Sequence, residues 1–160
     1  MNSLLSLLLE TADPRPSEIA KILGKDKEVV EQELSELHEN KIILGWMPIL
    51  NPKKIEDEKV RAVIEVKISP ERDGGFDRMA LRVSKFEEVE SCYLMSGGYD
   101  LLVFVSGKTL NSVAAFISER LATIEGVLST ATHFLLRPYK EQNHVLVNQG
   151  TFEEKPPVSP

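Results

Sequence analysis

The sequence predicts an α+β protein built in two parts, and three observations carry that reading. The first fifty residues hold three runs of apolar residues at helical spacing, separated by a proline-containing break and by one glycine. Residues 60–142 then switch between strand-like and helix-like apolar periods in the order β-α-β-β-α-β. Between the two lies "NPKKIEDEK", residues 51–59, a polar stretch broken by Pro52 that reads as a linker.

In the first part, Leu4, Leu5, Leu8 and Leu9 recur at helical spacing and predict a helix over residues 2–11. The same stretch, "MNSLLSLLLETADP", is not a secretory leader by pattern. It lacks a basic start, its apolar run is short, and Glu10 and Asp13 close it. "ADPRP" breaks the helix. Pro16 suits the first position of the next one, where its missing N–H is not needed, and Glu18 in that first turn favours the helix dipole. Ile19, Ala20 and Leu23 form the buried side, and Gly24 ends the helix by permitting a left-handed backbone. Asp26 is placed to cap a third helix in which Val30, Leu34 and Leu37 face inward. "KIILGWMPIL" then has strand composition, with Pro48 fitting an edge. Three helices and a strand ribbon over residues 1–50 outline a winged helix-turn-helix.

In the second part, "VRAVIEVKI" alternates, with Val60, Ala62, Ile64, Val66 and Ile68 on one face and Arg61, Glu65 and Lys67 on the other. "FDRMALRVSKF" places Phe76, Met79, Ala80, Val83 and Phe86 on one helical face. "VESCYLM" and "LLVFVSG" read as strands joined by the glycine-containing turn "SGGYD". "TLNSVAAFISERLATI" reads as one helix with Leu110, Val113, Ala114, Ile117, Leu121 and Ile124 inward, and "GVLSTATHFLL" as a last strand ended by Pro138. This is the ferredoxin-like arrangement, whose helices cover one sheet face and leave the other open to a partner or ligand. In residues 143–160, "NHVLV" has the composition of an added edge strand and "TFEEKPPVSP" that of a disordered tail.

Composition narrows the function. With 42% apolar and 28% charged residues the chain is an ordinary soluble type, and its net charge of -6 advertises no global field for nucleic acid, so DNA binding would need a local patch. One cysteine, Cys92, cannot form an internal disulfide, and no Cys/His cluster has zinc spacing. A reducing cytoplasm is the simplest setting, with no metal, no cofactor and no membrane span expected. His38, His133 and His144 have no partners at metal or catalytic spacing, and Ser84 and Ser112 lie in no nucleophile motif. Cys92 and Trp46 read as packing residues. No catalytic residue is assigned, so the expectation is a protein that is not an enzyme, although ferredoxin-like folds do host catalysis.

Four stretches in order carry a family resemblance: "EIAKILG", "IILGWMPILNPKKI", "SGGYDLLVFVSG" and "LATIEGVLSTATHFLL". Over about residues 2–142 the chain resembles the leucine-responsive/asparagine-regulator (Lrp/AsnC) family of prokaryotic transcription regulators. The resemblance implies double-stranded DNA as a partner. It also implies homodimers paired through the C-terminal sheets, assembling into tetramers or octamers, and an amino acid bound between subunits in the ligand-response (RAM) domain.

The third helix departs from that pattern. Gln32 and Glu33 stand where the family resemblance leads one to expect Arg-Arg or Arg-Lys. Phosphate contacts supply most affinity and base-edge contacts supply specificity. Glu accepts from cytosine N4 and Gln pairs with adenine, so Glu28, Glu31 and Gln32 suit a reading face, and Ser35 can donate to a phosphate. The cations for phosphate would be Arg15, Lys21, Lys25 and Lys27 around the turn and Lys53 and Lys54 after the strand. The alternative is that these acids form a solvated helix face balanced by nearby lysines.

In "MSGGYDLL", Gly97 and Gly98 can expose N–H groups to a carboxylate, Asp100 offers an anion to an ammonium, and Tyr99 offers a ring wall and a hydroxyl. Together they suit an α-amino acid. By resemblance, Met95, Ser96, Leu101, Thr130 and Thr132 join them as ligand or interface positions. A plain hairpin turn uses the same residues. The expected function is thus a sequence-specific DNA-binding regulator of Lrp/AsnC type responding to a small amino acid at the subunit interface. The competing reading is an amino-acid-sensing or assembly module whose acidic winged helix contacts protein rather than DNA.

Overall fold

Leu4 and Leu8 are one helical turn apart, and around them the first core closes. In the computed structural model, which describes residues 3–11, 15–51, 54–55, 59–70 and 75–146, the first unit spans Met1–Pro48 and the second Ile49–Pro160. The first holds α1 (Ser3–Thr11), α2 (Pro16–Leu23) and α3 (Lys27–Glu39). Their core is Leu4, Leu8, Ile19, Ala20, Val30 and Leu37, with Leu7, Leu23, Leu34 and Ile43 packed against it. Leu9, expected inside, is 71% exposed. It lies about 100° around the helix from Leu8, beyond the stripe that a nine-residue helix buries.

The chain between α2 and α3 follows its local chemistry. Pro16 opens α2, and Gly24 closes it in a left-handed conformation at φ 63° and ψ 34°. Asp26 occupies the capping position of α3, yet its side chain makes no capping hydrogen bond. At the far end, Lys41 takes the left-handed conformation (φ 56°), and the Ile42 and Ile43 N–H groups return to the Leu37 carbonyl at 2.9 and 3.1 Å. Residues 43–50 then form no strand, against the expectation of a ribbon. Strand composition is not enough: a ladder needs a partner, and no described segment supplies one.

The second unit has β1 (Val60–Ile68), α4 (Asp77–Val83), β2 (Val89–Leu94) and β3 (Leu101–Gly107). It continues with α5 (Leu110–Ala115), a π-helical turn (Phe116–Leu121), β4 (Val127–Phe134) and a short hairpin, β5 (Lys140–Glu141) and β6 (His144–Val145). The four long strands pair antiparallel in the order β2-β3-β1-β4. Ala62, Ile64, Val66 and Ile68 of β1 are buried beneath Met79 and Val83 of α4 and the α5 segment, as period-two alternation requires.

Two expectations fail here for physical reasons. The α5 segment buries Val113, Phe116, Ile117, Leu121 and Ile124, while Leu110 and Ala114 are exposed. The π turn widens the helix, so residues five apart, Phe116 and Leu121, share the core face. Among the described residues "NHVLV" does not extend the main sheet; His144–Val145 pairs with Lys140–Glu141. The expected disordered tail lies outside the described residues.

Candidate DNA-reading face and effector loop

Glu28, Glu31, Gln32 and Ser35 recur at helical spacing on α3, opposite Val30, Leu34 and Leu37, and all four are exposed. They are not idle. Gln32 Nε2 donates to Glu36 Oε1 at 3.1 Å, and Ser35 Oγ donates to Glu39 Oε1 at 3.2 Å. Three of the cations expected around the turn, Lys21, Lys25 and Lys27, are also held by an acid of the same unit. Lys21 Nζ lies 3.0 Å from Glu18 Oε1, Lys25 Nζ 2.5 Å from Glu33 Oε1, and Lys27 Nζ 3.0 Å from Glu31 Oε1. The hydrogen bond from Lys27 to Glu31, with the charge of that carboxylate, holds the Lys27 ammonium above its ordinary value. Arg15 sits at the capping position of α2, where its carbonyl accepts from the Glu18 and Ile19 N–H groups, both at 3.1 Å. Lys54 is exposed, and Lys53 lies outside the described residues.

These pairs differ in accessibility. Lys21 and Lys27 are exposed, and such pairs exchange for phosphate at little cost, because water screens them. Lys25 and Glu33 are more enclosed, with side chains 29% and 25% exposed, and Glu33 Oε2 is buried with no hydrogen-bond partner among the described residues. Their pairing fastens the turn before α3 to the middle of that helix. The Lys25 ammonium is therefore the least available of the three.

The second constellation lies at residues 95–101. Met95, Ser96, Gly97 and Gly98 are exposed, Tyr99 and Asp100 half-buried, and Leu101 wholly buried. Leu101, expected beside a ligand, is instead a core residue paired with Val66. Gly97 has φ 153°, which L side chains rarely adopt, whereas Gly98 needs no such freedom. Asp100 anchors the loop from three sides. Its N–H donates to the Val66 carbonyl at 3.0 Å, its carbonyl accepts from Met95 N–H at 2.8 Å, and its Oδ2 accepts from Ile68 N–H at 2.8 Å. The last bond was not legible in the sequence, because it spans 32 residues. Thr130 and Thr132 stand opposite Val66 and Ile64, so they project toward the helix-covered side of the sheet, both half-buried. Thr130 and the loop share one end of the sheet, two strand spacings or roughly 10 Å apart.

The opposite sheet face carries residues that period-two reasoning implied without assigning a role. Val63, Leu102, Phe104 and Tyr93 form a partly exposed apolar strip, with the Tyr93 and Phe104 rings edge-on at 6.1 Å. Charged side chains flank it. Arg61 Nε lies 3.3 Å from Glu90 Oε2, and Arg61 Nη1 lies 3.0 Å from Glu141 Oε1. Burial lowers the Arg61 pKa, but Glu141 and Glu90 outweigh it and hold the guanidinium above its ordinary value. His133 Nε2 lies 3.4 Å from Glu65 Oε1. Among the described residues no helix is long and apolar enough to cross a membrane, and no three His, Cys, Asp or Glu residues are grouped to hold a metal ion.

Comparison with known proteins fits this arrangement. Residues 61–145 match the Lrp/AsnC ligand-binding domain. The chain is 38% identical over 158 residues to an uncharacterized HTH-type transcriptional regulator, YugG, of Bacillus subtilis (strain 168), covering 98% of this chain and 95% of that protein. Among solved structures, a transcriptional regulator from Neisseria meningitidis in complex with L-Met superposes with a TM-score of 0.66 at 22% identity, covering 88% of this chain and 93% of the other. A feast or famine regulatory protein from M. tuberculosis complexed with L-methionine superposes with a TM-score of 0.66 at 20% identity, covering 90% and 95%.

Proposed function

This chain belongs to the Lrp/AsnC family of transcription regulators, and from that premise we propose that it is a sequence-specific DNA-binding regulator that responds to a small amino acid. Residues 1–50 would form the DNA-binding head, a helix-turn-helix of α2, Gly24 and α3 without a formed wing. Residues 51–59 would be the linker and residues 60–142 the effector and assembly domain. One observation carries the reading: beyond the Gly24 turn, α3 presents Glu28, Glu31, Gln32 and Ser35 with none of them buried. Such a face can enter a major groove and meet base edges. Exchange of Lys21 and Lys27 from Glu18 and Glu31 to DNA would supply phosphate contacts, with Arg15 and Lys54 as further candidate cations.

Affinity per head is low on this account, because the head carries five Lys and Arg against nine Asp and Glu. Assembly compensates: several heads on one DNA raise the effective affinity without a new contact. A second copy would cover the strip of Val63, Leu102, Phe104 and Tyr93, giving a dimer through the sheets, and dimers would associate further. The same acidic charge favours the second reading, in which α3 meets a protein. Selection of bound fragments from the organism's own DNA separates the two. Enrichment of a pseudo-palindrome supports DNA reading; no enrichment with a well-folded assembly supports protein contact.

For the effector, the Gly97 and Gly98 N–H groups would hold the carboxylate and Tyr99 would wall the side chain. Asp100 Oδ2 is engaged by Ile68, so the ammonium would fall to Asp100 Oδ1, which has no hydrogen bond among the described residues. The L-methionine complexes of the structural relatives make an apolar amino acid the first to test. Calorimetry with the twenty amino acids is the assay. The setting proposed for all this is the cytoplasm.

A further inference from the structure

Glu65 stands in the apolar middle of the open sheet face. Its cross-strand neighbours are Leu102 on β3 and Ala131 on β4, and Tyr93 of β2 lies beyond Leu102. Val63, two residues away on the same face, stands between Phe104 and His133. The carboxylate meets its diagonal neighbour: His133 Nε2 lies 3.4 Å from Glu65 Oε1, with the two side chains 61% and 38% exposed. The other charged groups lie toward the ends of the face. Arg61 is engaged by Glu90 of β2 and by Glu141 of the hairpin, and His144 stands across that hairpin from Glu141. Lys67, two residues beyond Glu65, is exposed, and β3 brings only Leu102, Phe104 and Ser106 to this side. Of the side-chain types gathered here, imidazole is the one whose charge changes between about pH 5 and 8.

We propose that His133 and Glu65 make the pairing of two sheets proton-sensitive: a second copy closing over this face takes up a proton at His133. The inference rests on the sheet-to-sheet dimer proposed above and adds its regulation. Covering the face removes the water that now screens Glu65, and a carboxylate shut away without a cation is costly. Loss of water also opposes charge on the imidazole, but the carboxylate beside it offsets that, so the ionised pair is the form that two covered faces favour. A charged His133, with Arg61 and Lys67, also brings the cations level with Glu65, Glu90 and Glu141, so two copies meet without an excess of acid. A twofold interface holds this pair twice. The sign follows from linkage. An association that takes up protons strengthens as pH falls and weakens as pH rises. The dimer is therefore tightest near about pH 5.5 and weaker near about pH 8, until carboxylates themselves protonate near about pH 4.

The test follows the full chain by fluorescence-detected sedimentation from nanomolar to micromolar concentration, between about pH 5.5 and about pH 8. The dissociation constant of the native dimer is expected to rise at least about tenfold across that range. His133→Gln and Glu65→Gln should each flatten the dependence, whereas His144→Gln should keep the native slope. A purely structural defect would instead weaken the dimer by the same factor at every pH. Should neither of the first two variants assemble, dilution calorimetry of the native protein decides in their place. Performed at one pH in phosphate and in Tris, whose heats of ionisation differ, it counts the protons that leave as the dimer comes apart. Proton release supports the inference, and none overturns it. A native dimer indifferent to pH, including one still whole at the lowest concentration at pH 8, overturns the inference and leaves the proposed dimer standing. So does a native slope retained in His133→Gln. A monomer at every pH removes the dimer and the inference together.

Discussion

The head and the sheet unit are organised by different interactions. The head closes around six buried apolar residues, the sheet unit around fourteen. The head is tied together on its surface by ion pairs near in sequence, such as Lys27 with Glu31. The sheet unit is tied by contacts distant in sequence, such as Asp100 with Ile68 and Arg61 with Glu141. A small core with local pairs gives a unit of low intrinsic stability, and a larger core with distant pairs gives a cooperative one. On the proposed function this division is useful, because the head would adjust to DNA while the sheet unit kept the assembly.

The largest expected effects come from truncating the two cores. Leu121→Ala should destabilise the sheet unit by about 2–5 kcal/mol, and leave the head as it was. Leu4→Ala removes one of six core residues and should unfold the head while the sheet unit melts at its native temperature. Calorimetry follows the sheet unit, and Trp46, the only tryptophan, follows the head from its edge contact with His38 at 6.2 Å. A single transition moved equally by both substitutions would erase the distinction between the units.

Next is Asp100. Its replacement by Ala strips the acceptor from Ile68 N–H and should cost the sheet unit about 1–3 kcal/mol, with or without effector. Asp100→Asn keeps an acceptor oxygen and removes the charge. It should melt close to native and bind an amino-acid effector at least about tenfold more weakly, the loss of one charge-assisted contact. Native affinity in the Asn variant would show that Asp100 only shapes the loop.

Smaller is the head's Lys25–Glu33 pair. Because both side chains are about a quarter exposed, Lys25→Ala should lower head stability by about 1 kcal/mol or less. Smallest is a pH effect confined to the sheet unit. Burial pushes the Cys92 thiol up, against a weaker lowering by Ser84. As pH rises past the ordinary thiol value of about 8.5, the unfolded chain loses that proton first, so stability falls until the folded thiol also ionises. Melting curves from pH 7 to 10 should show this loss in the native protein and not in Cys92→Ala.

Much of the fold was legible because its signals are local. Gly24, Pro16 and the alternation of Val60 to Ile68 each report a conformation that their own neighbours impose. The misses share a cause. Residues 43–50 have strand composition but no partner among the described residues, so composition could not decide pairing. Leu110 and Ala114 were placed inside by a 3.6-residue period, but the six-residue helix before the π turn buries Val113 alone. At the candidate sites the residue types were readable and their engagements were not. Nothing in "SGGYD" announces that Asp100 binds the Ile68 amide, and nothing in "GKDKEVVEQE" announces that Lys25 reaches over two turns to Glu33.

The central claim is that weak heads gain DNA affinity through assembly, and one titration tests it most directly. Two duplexes of equal length are cut from a selected genomic fragment, one keeping both half-sites of its pseudo-palindrome and one keeping a single half-site. The full chain is titrated with each at the same salt concentration. The account predicts at least about a hundredfold tighter binding to the two-site duplex. Equal affinity for both would contradict it.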